Sequence, residues 1–75
     1  MDVRRRLGSN LKRLREQRGL SQEEFADQCG LHRTYISGIE RGVRNPTIAI
    51  IDKIARSLKV PAGDLLGDSK LTKNI

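Results

Sequence analysis

Residues 19–42 read Gly-Leu-Ser-Gln-Glu-Glu-Phe-Ala-Asp-Gln-Cys-Gly-Leu-His-Arg-Thr-Tyr-Ile-Ser-Gly-Ile-Glu-Arg-Gly, and this stretch decides the fold. Ser21 and Glu24 have the spacing of a capping box, in which each residue satisfies a backbone amide of the other, so a helix is predicted to begin at Gln22. Gly30 is predicted to end it, because glycine readily adopts the left-handed conformation found after helix ends. A second short helix comes next and stops at Gly42. Two short helices joined by a tight glycine turn form a helix-turn-helix.

Both short helices have one apolar side. Phe25, Ala26 and Cys29 are spaced to share a face of the first helix, and Ile36 and Ile39 form the buried stripe of the second. The other side of the second helix is polar and basic, and it carries Arg33, Thr34, Ser37 and Arg41. Gly38 costs this helix about 1 kcal/mol relative to alanine. Close approach of the backbone to a binding partner, or a tight contact with another helix, would explain it.

Helices are also predicted on both sides of this unit. In the segment from Asp2 to Arg18 the apolar residues recur every three or four positions, at Val3, Leu7, Leu11 and Leu14. A fourth helix runs from Thr47 to about Lys59, because Pro46 disfavours helix before it and Thr47 can cap a helix that begins at the next residue. Its predicted core face consists of Ile48, Ile51, Ile54, Ala55 and Leu58, whereas Ile50 falls off that stripe.

The chain ends with a short helix and a tail. Residues 61–66 suggest a fifth helix that Gly67 ends, and only one of Leu65 and Leu66 fits easily into so small a core. From Asp68 the periodicity is lost, which is typical of a frayed end. We therefore expect an all-α fold in which residues 1–67 form one domain and residues 68–75 a flexible tail.

Charge points to a polyanionic partner. The chain has 75 residues, with 15 Lys and Arg against 9 Asp and Glu, for a net charge of +6. The segment from Asp2 to Arg18 alone carries seven basic and two acidic residues, or +5 (7 − 2). Part of this charge, including at least one of Arg4 to Arg6, either meets phosphate or belongs to an ordinary solvated helix face. One Tyr and one Phe are too few for a surface that stacks single-stranded bases.

Other classes of function find little support in the sequence. Cys29 and His32 have Cys-x-x-His spacing, but a structural zinc site needs four ligands and the chain has no other Cys or His. No apolar run approaches the roughly 20 residues of a membrane span, and the N-terminus lacks the apolar region of a signal peptide. We expect a cytoplasmic protein that is not an enzyme, with no metal, cofactor or small-molecule ligand.

The sequence resembles the XRE-type helix-turn-helix family of phage repressors. The resemblance rests on Leu20–Ala26, Gly30-Leu31, Tyr35–Gly42 and Asn45-Pro46-Thr47, and it extends from about Leu7 to Leu66. Within that family, residues 32–37 and Arg44-Asn45 are most similar to the controller proteins of restriction-modification systems. The resemblance implies a compact five-helix bundle of the lambda-repressor type that binds duplex DNA and regulates transcription.

The second short helix is then expected to lie in the major groove, which admits one helix and displays a distinct pattern for each base pair. Arg33 is the strongest candidate for a base contact, because its planar fork matches guanine O6 and N7. His32 either caps this helix, touches a phosphate or is a surface imidazole without a partner. Tyr35 either directs its hydroxyl toward DNA or belongs to the core. The full set of expected DNA-binding residues is Gln22, Arg33, Thr34, Tyr35, Ser37, Arg41, Arg44 and Asn45.

The resemblance also implies roles away from the bases. An arginine at the position of Arg15 pairs in this family with a glutamate at the position of Glu40, so we assign both to structure. The family commonly dimerises through its fifth helix, so our predicted homodimer interface consists of Ile50, Val60, Leu65 and Leu66. Glu23 and Asp27 share an exposed face, which in some phage repressors touches RNA polymerase; favourable charge near a helix N-terminus is the alternative.

Several functions remain open at this point. The first is a homodimeric controller that binds an inverted-repeat operator, represses its own gene at high occupancy and activates a neighbouring restriction gene at low occupancy. A phage or prophage repressor and the antitoxin of a toxin-antitoxin pair also fit the fold. From a different class, a protein-interaction module would keep the fold without reading DNA, but it would have no reason to keep a basic surface from Arg33 to Arg44.

Overall fold

The computed structural model describes residues 2–68, and this part of the chain is all-helical. Its helices are α1 (Val3–Gln17), α2 (Gln22–Cys29), α3 (Arg33–Glu40), α4 (Ile48–Leu58) and α5 (Gly63–Leu66). Within residues 2–68 there is no strand, so the predicted all-α class is confirmed. Most of the predicted tail, residues 69–75, lies outside the described residues.

The boundaries of α2 follow from local chemistry. Glu24 donates its backbone N–H to Ser21 Oγ at 3.0 Å, and Ser21 donates its own to Glu24 Oε1 at 2.9 Å. The predicted capping box is therefore confirmed. Gly30 comes next with a φ of 71°, in the left-handed region that glycine adopts without steric cost, and this ends the helix where the sequence indicated.

One hydrophobic core joins the helices. Its buried members are Leu7, Leu11, Leu14, Phe25, Ala26, Cys29, Ile36, Ile39, Ile51, Ile54, Ala55, Leu58 and Leu65. Val3 shares the predicted stripe of Leu7, but it is 49% exposed. Val3 is the first residue of α1 and does not belong to the apolar side chains that pack against the core.

The predicted core face of α4 is wrong at two positions. Ile48 is 85% exposed, whereas Ile50 is half-buried and packs against the core. Both residues fit a helical period, because Ile48 lies three residues before Ile51 and Ile50 lies four residues before Ile54. Since both spacings are helical, the position of the neighbouring helices decides which side chain is covered.

Helix α1 crosses α3 at a glycine. A Cβ built on Gly8 would lie 2.5 Å from the carbonyl oxygens of both Ile39 and Glu40, well inside van der Waals contact. Only a residue without a side chain permits this approach. Gly8 stands in the interior of α1, where glycine is otherwise unfavourable, so this contact explains its presence.

Polar side chains of α1 hold α5 in place. Asn10 is 6% exposed and donates from Nδ2 to the carbonyl oxygens of Leu65 at 2.8 Å and Gly67 at 2.9 Å. Arg6 Nε donates to the Leu66 carbonyl at 2.7 Å. Leu65 itself is fully buried, so its prediction as an interface residue is wrong. Its side chain fills the core, and the half-buried Leu66 is the leucine left near the surface.

Candidate nucleic-acid interface

Helix α3 separates two kinds of residue. Ile36 and Ile39 are fully buried against the core. On the opposite side Arg33, Thr34 and Arg41 are exposed, and Ser37 is half-buried. We call these four residues the outward face of α3. None of their side chains forms a hydrogen bond or ion pair with another residue in the described range 2–68, so this polar surface has no structural partner.

The start of α3 lacks a side-chain cap. His32 occupies the N-cap position, and its carbonyl accepts from the backbone N–H groups of Tyr35 and Ile36 at 3.0 and 3.2 Å. Its imidazole forms no capping hydrogen bond, so the expectation that His32 caps the helix is not met. The residues that commonly cap have a short side chain ending in oxygen, which histidine lacks. The imidazole is exposed beside Arg33.

The loop after α3 folds back onto it. The Arg44 guanidinium carbon lies 5.6 Å from the ring centroid of Tyr35, within cation–π range. A Cβ on Gly38 would lie 2.6 Å from Arg44 Cγ, and the backbone N–H groups of Val43 and Arg44 donate to the Gly38 carbonyl at 3.0 and 3.2 Å. Gly38 therefore makes room for the Arg44 side chain. This contact explains the glycine inside α3 without close approach to DNA or to a neighbouring helix. Tyr35 is half-buried, and Arg44 is exposed.

A buried ion pair lies behind this surface. Arg15 donates from Nε to Glu40 Oε2 at 2.7 Å and from Nη2 to Glu40 Oε1 at 3.0 Å, and the two side chains are 8% and 4% exposed. Arg15 Nη1 also donates to the Leu20 carbonyl at 2.7 Å. The bonds to Glu40 hold the pKa of Arg15 above its ordinary value. The pair expected from the resemblance is thus present, and it ties α1 to the end of α3.

Gln22 is connected to the same pair. Its Nε2 donates to Glu40 Oε1 at 3.1 Å, so one amide hydrogen is held inside the protein. The side chain is half-buried at the first residue of α2. Its amide oxygen and second hydrogen form no other hydrogen bond within the described chain. A phosphate contact by Gln22 stays a prediction, and any such contact is oriented by Glu40.

The acidic residues of α2 fall into two groups. Glu24 is engaged in the capping box, and the backbone N–H of Ser21 lowers the pKa of its carboxyl group. Glu23 and Asp27 are exposed, and neither side chain forms a hydrogen bond or ion pair within residues 2–68. Asn45, beyond α3, is also exposed, and its side chain forms no hydrogen bond within residues 2–68.

The predicted interface residues other than Leu65 lie at the edge of the core. Ile50, Val60 and Leu66 are half-buried and pack against it. Each retains some accessible apolar surface, which a second copy can cover. Ile48, at the start of α4, is far more exposed than these three residues, in contrast to its predicted place in the core.

Cys29 and His32, which have Cys-x-x-His spacing, differ in burial: Cys29 lies in the core and His32 on the surface. Cys29 is 3% exposed, and burial raises the pKa of its thiol. His32 is exposed. Among residues 2–68 no group of three or more side chains is arranged to hold a metal ion, and no helix is long and apolar enough to cross a membrane.

Sequence reasoning missed several residues that position the site. Gly8 sets the crossing of α1 and α3, and Asn10 holds α5. Arg18 donates from Nη1 to the Leu14 carbonyl at 3.0 Å and from Nη2 to the Leu58 carbonyl at 2.7 Å, which joins the ends of α1 and α4. A signal was available for the first two. Gly8 interrupts a helix interior, and Asn10 is a polar residue beside the apolar stripe of α1.

Comparison with known proteins places residues 11–65 within the family model described as helix-turn-helix. Among solved structures, the hypothetical transcription factor NHTF from Neisseria has a TM-score of 0.91 at 41% identity, over 99% of this chain and 86% of that one. The restriction-modification controller protein C.AhdI from Aeromonas hydrophila has a TM-score of 0.79 at 40% identity, over 83% and 94%.

A third structure contains DNA. The master regulator for biofilm formation SinR, solved in complex with DNA, has a TM-score of 0.77 at 34% identity, and the match covers 81% of this chain and 98% of that one. Sequence family and fold therefore agree over most of the chain.

Proposed function

This chain belongs to the helix-turn-helix family of DNA-binding transcription regulators, and on that premise we propose that it controls a restriction-modification system by binding an inverted-repeat operator as a homodimer. Similarity to C.AhdI, named as a controller of such a system, supports the specific role. The family regulates transcription and is not enzymatic. A transcription regulator acts where the DNA is, so we assign the protein to the cytoplasm.

The observation that carries this proposal is the outward face of α3. Its four polar side chains have no bonding partner within residues 2–68, while the opposite side of the same helix is fully buried. Leaving these groups unpartnered contributes nothing to the fold. Their arrangement matches what a recognition helix presents to the edges of base pairs.

We infer that bases and phosphates are contacted by different residues. Arg33, at the first position of α3, reads guanine through its paired N–H groups, with Thr34 and Ser37 beside it. Arg41 lies at the C-cap of α3, Arg44 and Asn45 continue the surface beyond it, and Gln22 approaches a phosphate at the start of α2. Contacts to phosphate position the protein on the duplex without carrying sequence information directly. Tyr35 orients Arg44 through its ring.

Dimerisation supplies the geometry of the operator. In a symmetric dimer the two copies of α3 meet successive major grooves about 34–36 Å apart, so the half-sites form an inverted repeat. Ile50, Val60 and Leu66 are the proposed interface, because each packs against the core and keeps part of its apolar surface accessible. A chain of this length gains only a few kcal/mol from its own core, which favours added stability from a partner copy.

The exposed acids of α2 are proposed to contact RNA polymerase. Glu23 and Asp27 have no internal partner, and their charge is unfavourable on a surface that lies on DNA. Alanine at both positions is expected to spare operator binding and to reduce activation of a reporter promoter. Normal activation by this double variant would remove the polymerase contact while leaving the DNA-binding proposal intact.

A gel-shift titration against DNA from upstream of the chain's own gene tests the function. The wild type is compared with Arg33→Ala on that DNA and on a scrambled duplex. Arg56→Ala is the matched control, because Arg56 is also an exposed arginine but forms an ion pair with Asp52 on α4. Both variants lose one positive charge.

We expect sequence preference in the wild type and in Arg56→Ala. Arg33→Ala should lose discrimination by about 1–3 kcal/mol, or roughly 5- to 150-fold, for each half-site. Equal and weak binding of the wild type to both duplexes would contradict the proposal. The basic surface would then act only through charge, as in an interaction module or in an antitoxin that lacks its partner.

A further inference from the structure

We propose that Arg5, on the first turn of α1, is a further DNA-binding residue that contacts a backbone phosphate beside the groove occupied by α3. The proposal rests on the function proposed above and extends it to a helix outside the helix-turn-helix. It is carried by the different surroundings of three consecutive arginines and by the contact that one of them makes with the end of α3.

Arg4 and Arg6 are both engaged within the protein. Arg4 forms an ion pair with Asp2 at 3.3 Å, and its backbone N–H donates to the same carboxylate at 2.7 Å. Arg6 Nε donates to the Leu66 carbonyl at 2.7 Å, so its side chain holds α5. Each of these two guanidinium groups therefore has a defined partner.

Arg5 differs from both neighbours. It is exposed, and its side chain forms no hydrogen bond or ion pair with any residue from 2 to 68. Asp2, the nearest acid along the chain, directs its hydrogen bonds to Arg4 instead. The hydrogen bonds from Arg4 lower the pKa of the Asp2 carboxyl, and the charge of Arg5 also helps to lower it. Only Arg4 is held by that carboxylate through hydrogen bonds, so the Arg5 guanidinium is left without a bonded partner in this part of the chain.

The position of Arg5 connects it to the recognition helix. A Cβ built on Gly42 would lie 3.2 Å from Arg5 Cγ and 3.6 Å from its Cα, so the stem of Arg5 lies on the turn that ends α3. Gly42 has a φ of 77°, which a side chain would strain, and the same absence of a side chain makes room for Arg5. Arg41 precedes Gly42, and Arg44 lies two residues after it.

This placement suits a phosphate better than a base. The stem of Arg5 is held by the turn, while its guanidinium remains free to present paired N–H donors, the geometry that matches two phosphate oxygens. Arg5 projects from α1, outside the helix that enters the groove. Together with Arg41 and Arg44, it would continue the positive surface from the end of α3 along the DNA backbone.

Salt dependence of binding is the direct test. Binding of full-length wild type, Arg5→Gln, Arg5→Lys and Arg4→Gln is measured from low to high salt, on the upstream duplex and on a scrambled one. Glutamine keeps part of the stem that packs on Gly42 but removes the charge. Arg4→Gln makes the same charge change one residue away, at a side chain that already has a partner. Thermal unfolding of each variant checks that it is folded.

We expect Arg5→Gln to reduce the slope of log affinity against log salt by about 0.9 per phosphate, or about 1.8 for a dimer. A slope of about 0.9 corresponds to about eightfold in affinity for a tenfold change in salt concentration. Relative to wild type, each lost contact should therefore weaken binding about eightfold more at 0.1 M salt than at 1 M. The factor should be the same on both duplexes, because phosphate carries no sequence information. Arg5→Lys should retain most of the slope, and Arg4→Gln should change it far less.

Three results would overturn the proposal. An unchanged slope in Arg5→Gln would show that Arg5 meets no phosphate, and equal losses in Arg4→Gln would show that only net charge matters. A loss confined to the upstream duplex would indicate a base contact instead. Failure of the wild type to prefer the upstream duplex would count against the proposed function, but the slopes on either duplex would still test Arg5.

Discussion

Arg15 and Arg33 carry the same side chain in opposite surroundings. Arg15, on the inner side of α1, directs its hydrogen bonds to Glu40 and Leu20 and is 6% exposed. Arg33, at the start of α3, is exposed, and its side chain bonds to no residue in the described part of the chain. A net charge of +6 therefore says little about binding by itself. What matters is which arginine side chains are already hydrogen-bonded within the protein and which are not.

The largest effect should come from the inner side. In Arg15→Ala the Glu40 carboxylate, 4% exposed, keeps its charge and loses its partner. Breaking a buried pair in this way costs about 3–5 kcal/mol of unfolding free energy, which urea denaturation measures. The double variant Arg15→Met with Glu40→Leu should recover much of the loss, since it leaves no charge unpaired. A loss below about 1 kcal/mol in Arg15→Ala would mean that the inner arginine is no more structural than the outer one.

Gly8→Ala tests the packing that holds α3. The new Cβ would meet the carbonyl oxygens of Ile39 and Glu40 at 2.5 Å, and backbone atoms cannot move aside as a flexible side chain can. We expect a loss of about 1–3 kcal/mol in the same urea experiment. Gly63→Ala is the matched control, because no atom other than its chain neighbours and the backbone of its own helix lies within 4 Å of its Cβ position and its φ is not left-handed. Equal stability of the two variants would contradict the close crossing of α1 and α3.

Glu24 lies between the two extremes, because it is exposed yet bonded within the protein. The pKa of its carboxyl group is lowered by the Ser21 backbone N–H, so the charged form is favoured in the folded state. The resulting stability is present above the ordinary pKa of glutamate, near 4.5, and is lost as pH falls through the lowered value. The stability difference between wild type and Glu24→Gln should therefore be seen at pH 7 and shrink on acidification. A difference that stays constant with pH would show that the charge is not involved.

The outward face should give the smallest change in stability. Arg33→Ala, Thr34→Ala and Arg41→Ala remove no internal bond, and each should unfold within about 0.5 kcal/mol of wild type. If any of them lost stability comparable to Gly8→Ala, the separation between an inner and an outward arginine would fail. Unchanged stability combined with weaker operator binding would show that these outward residues serve binding and not folding.

The sequence predicted those parts of the fold that depend on local chemistry. The capping box of Ser21 and Glu24 and the stop at Gly30 involve residues close along the chain, so their spacing was sufficient. Phe25, Ala26 and Cys29 are buried as their spacing predicted. In this short helix only one face carries the apolar residues, so their spacing was enough to predict which side chains are buried.

Prediction failed where two residues satisfied the same rule. Ile48 and Ile50 both fit a helical period, and Leu65 and Leu66 are adjacent, so only the neighbouring helices decide which is covered. The candidate site shows the same limit. Composition indicated that at least one of Arg4, Arg5 and Arg6 is available to phosphate, but choosing among them required knowing that Asp2 and Leu66 hold the outer two.

The crossing at Gly8 has a consequence for how such proteins diverge. Because the backbone of α3 lies directly on α1 with no side chain between them, α3 cannot move closer to α1 without a clash between backbone atoms. We expect a change in the DNA sequence that is preferred to come from exchange of side chains on the outward face of α3. We therefore expect proteins that share this crossing to share the position of α3 and to differ in DNA preference through a few outward side chains.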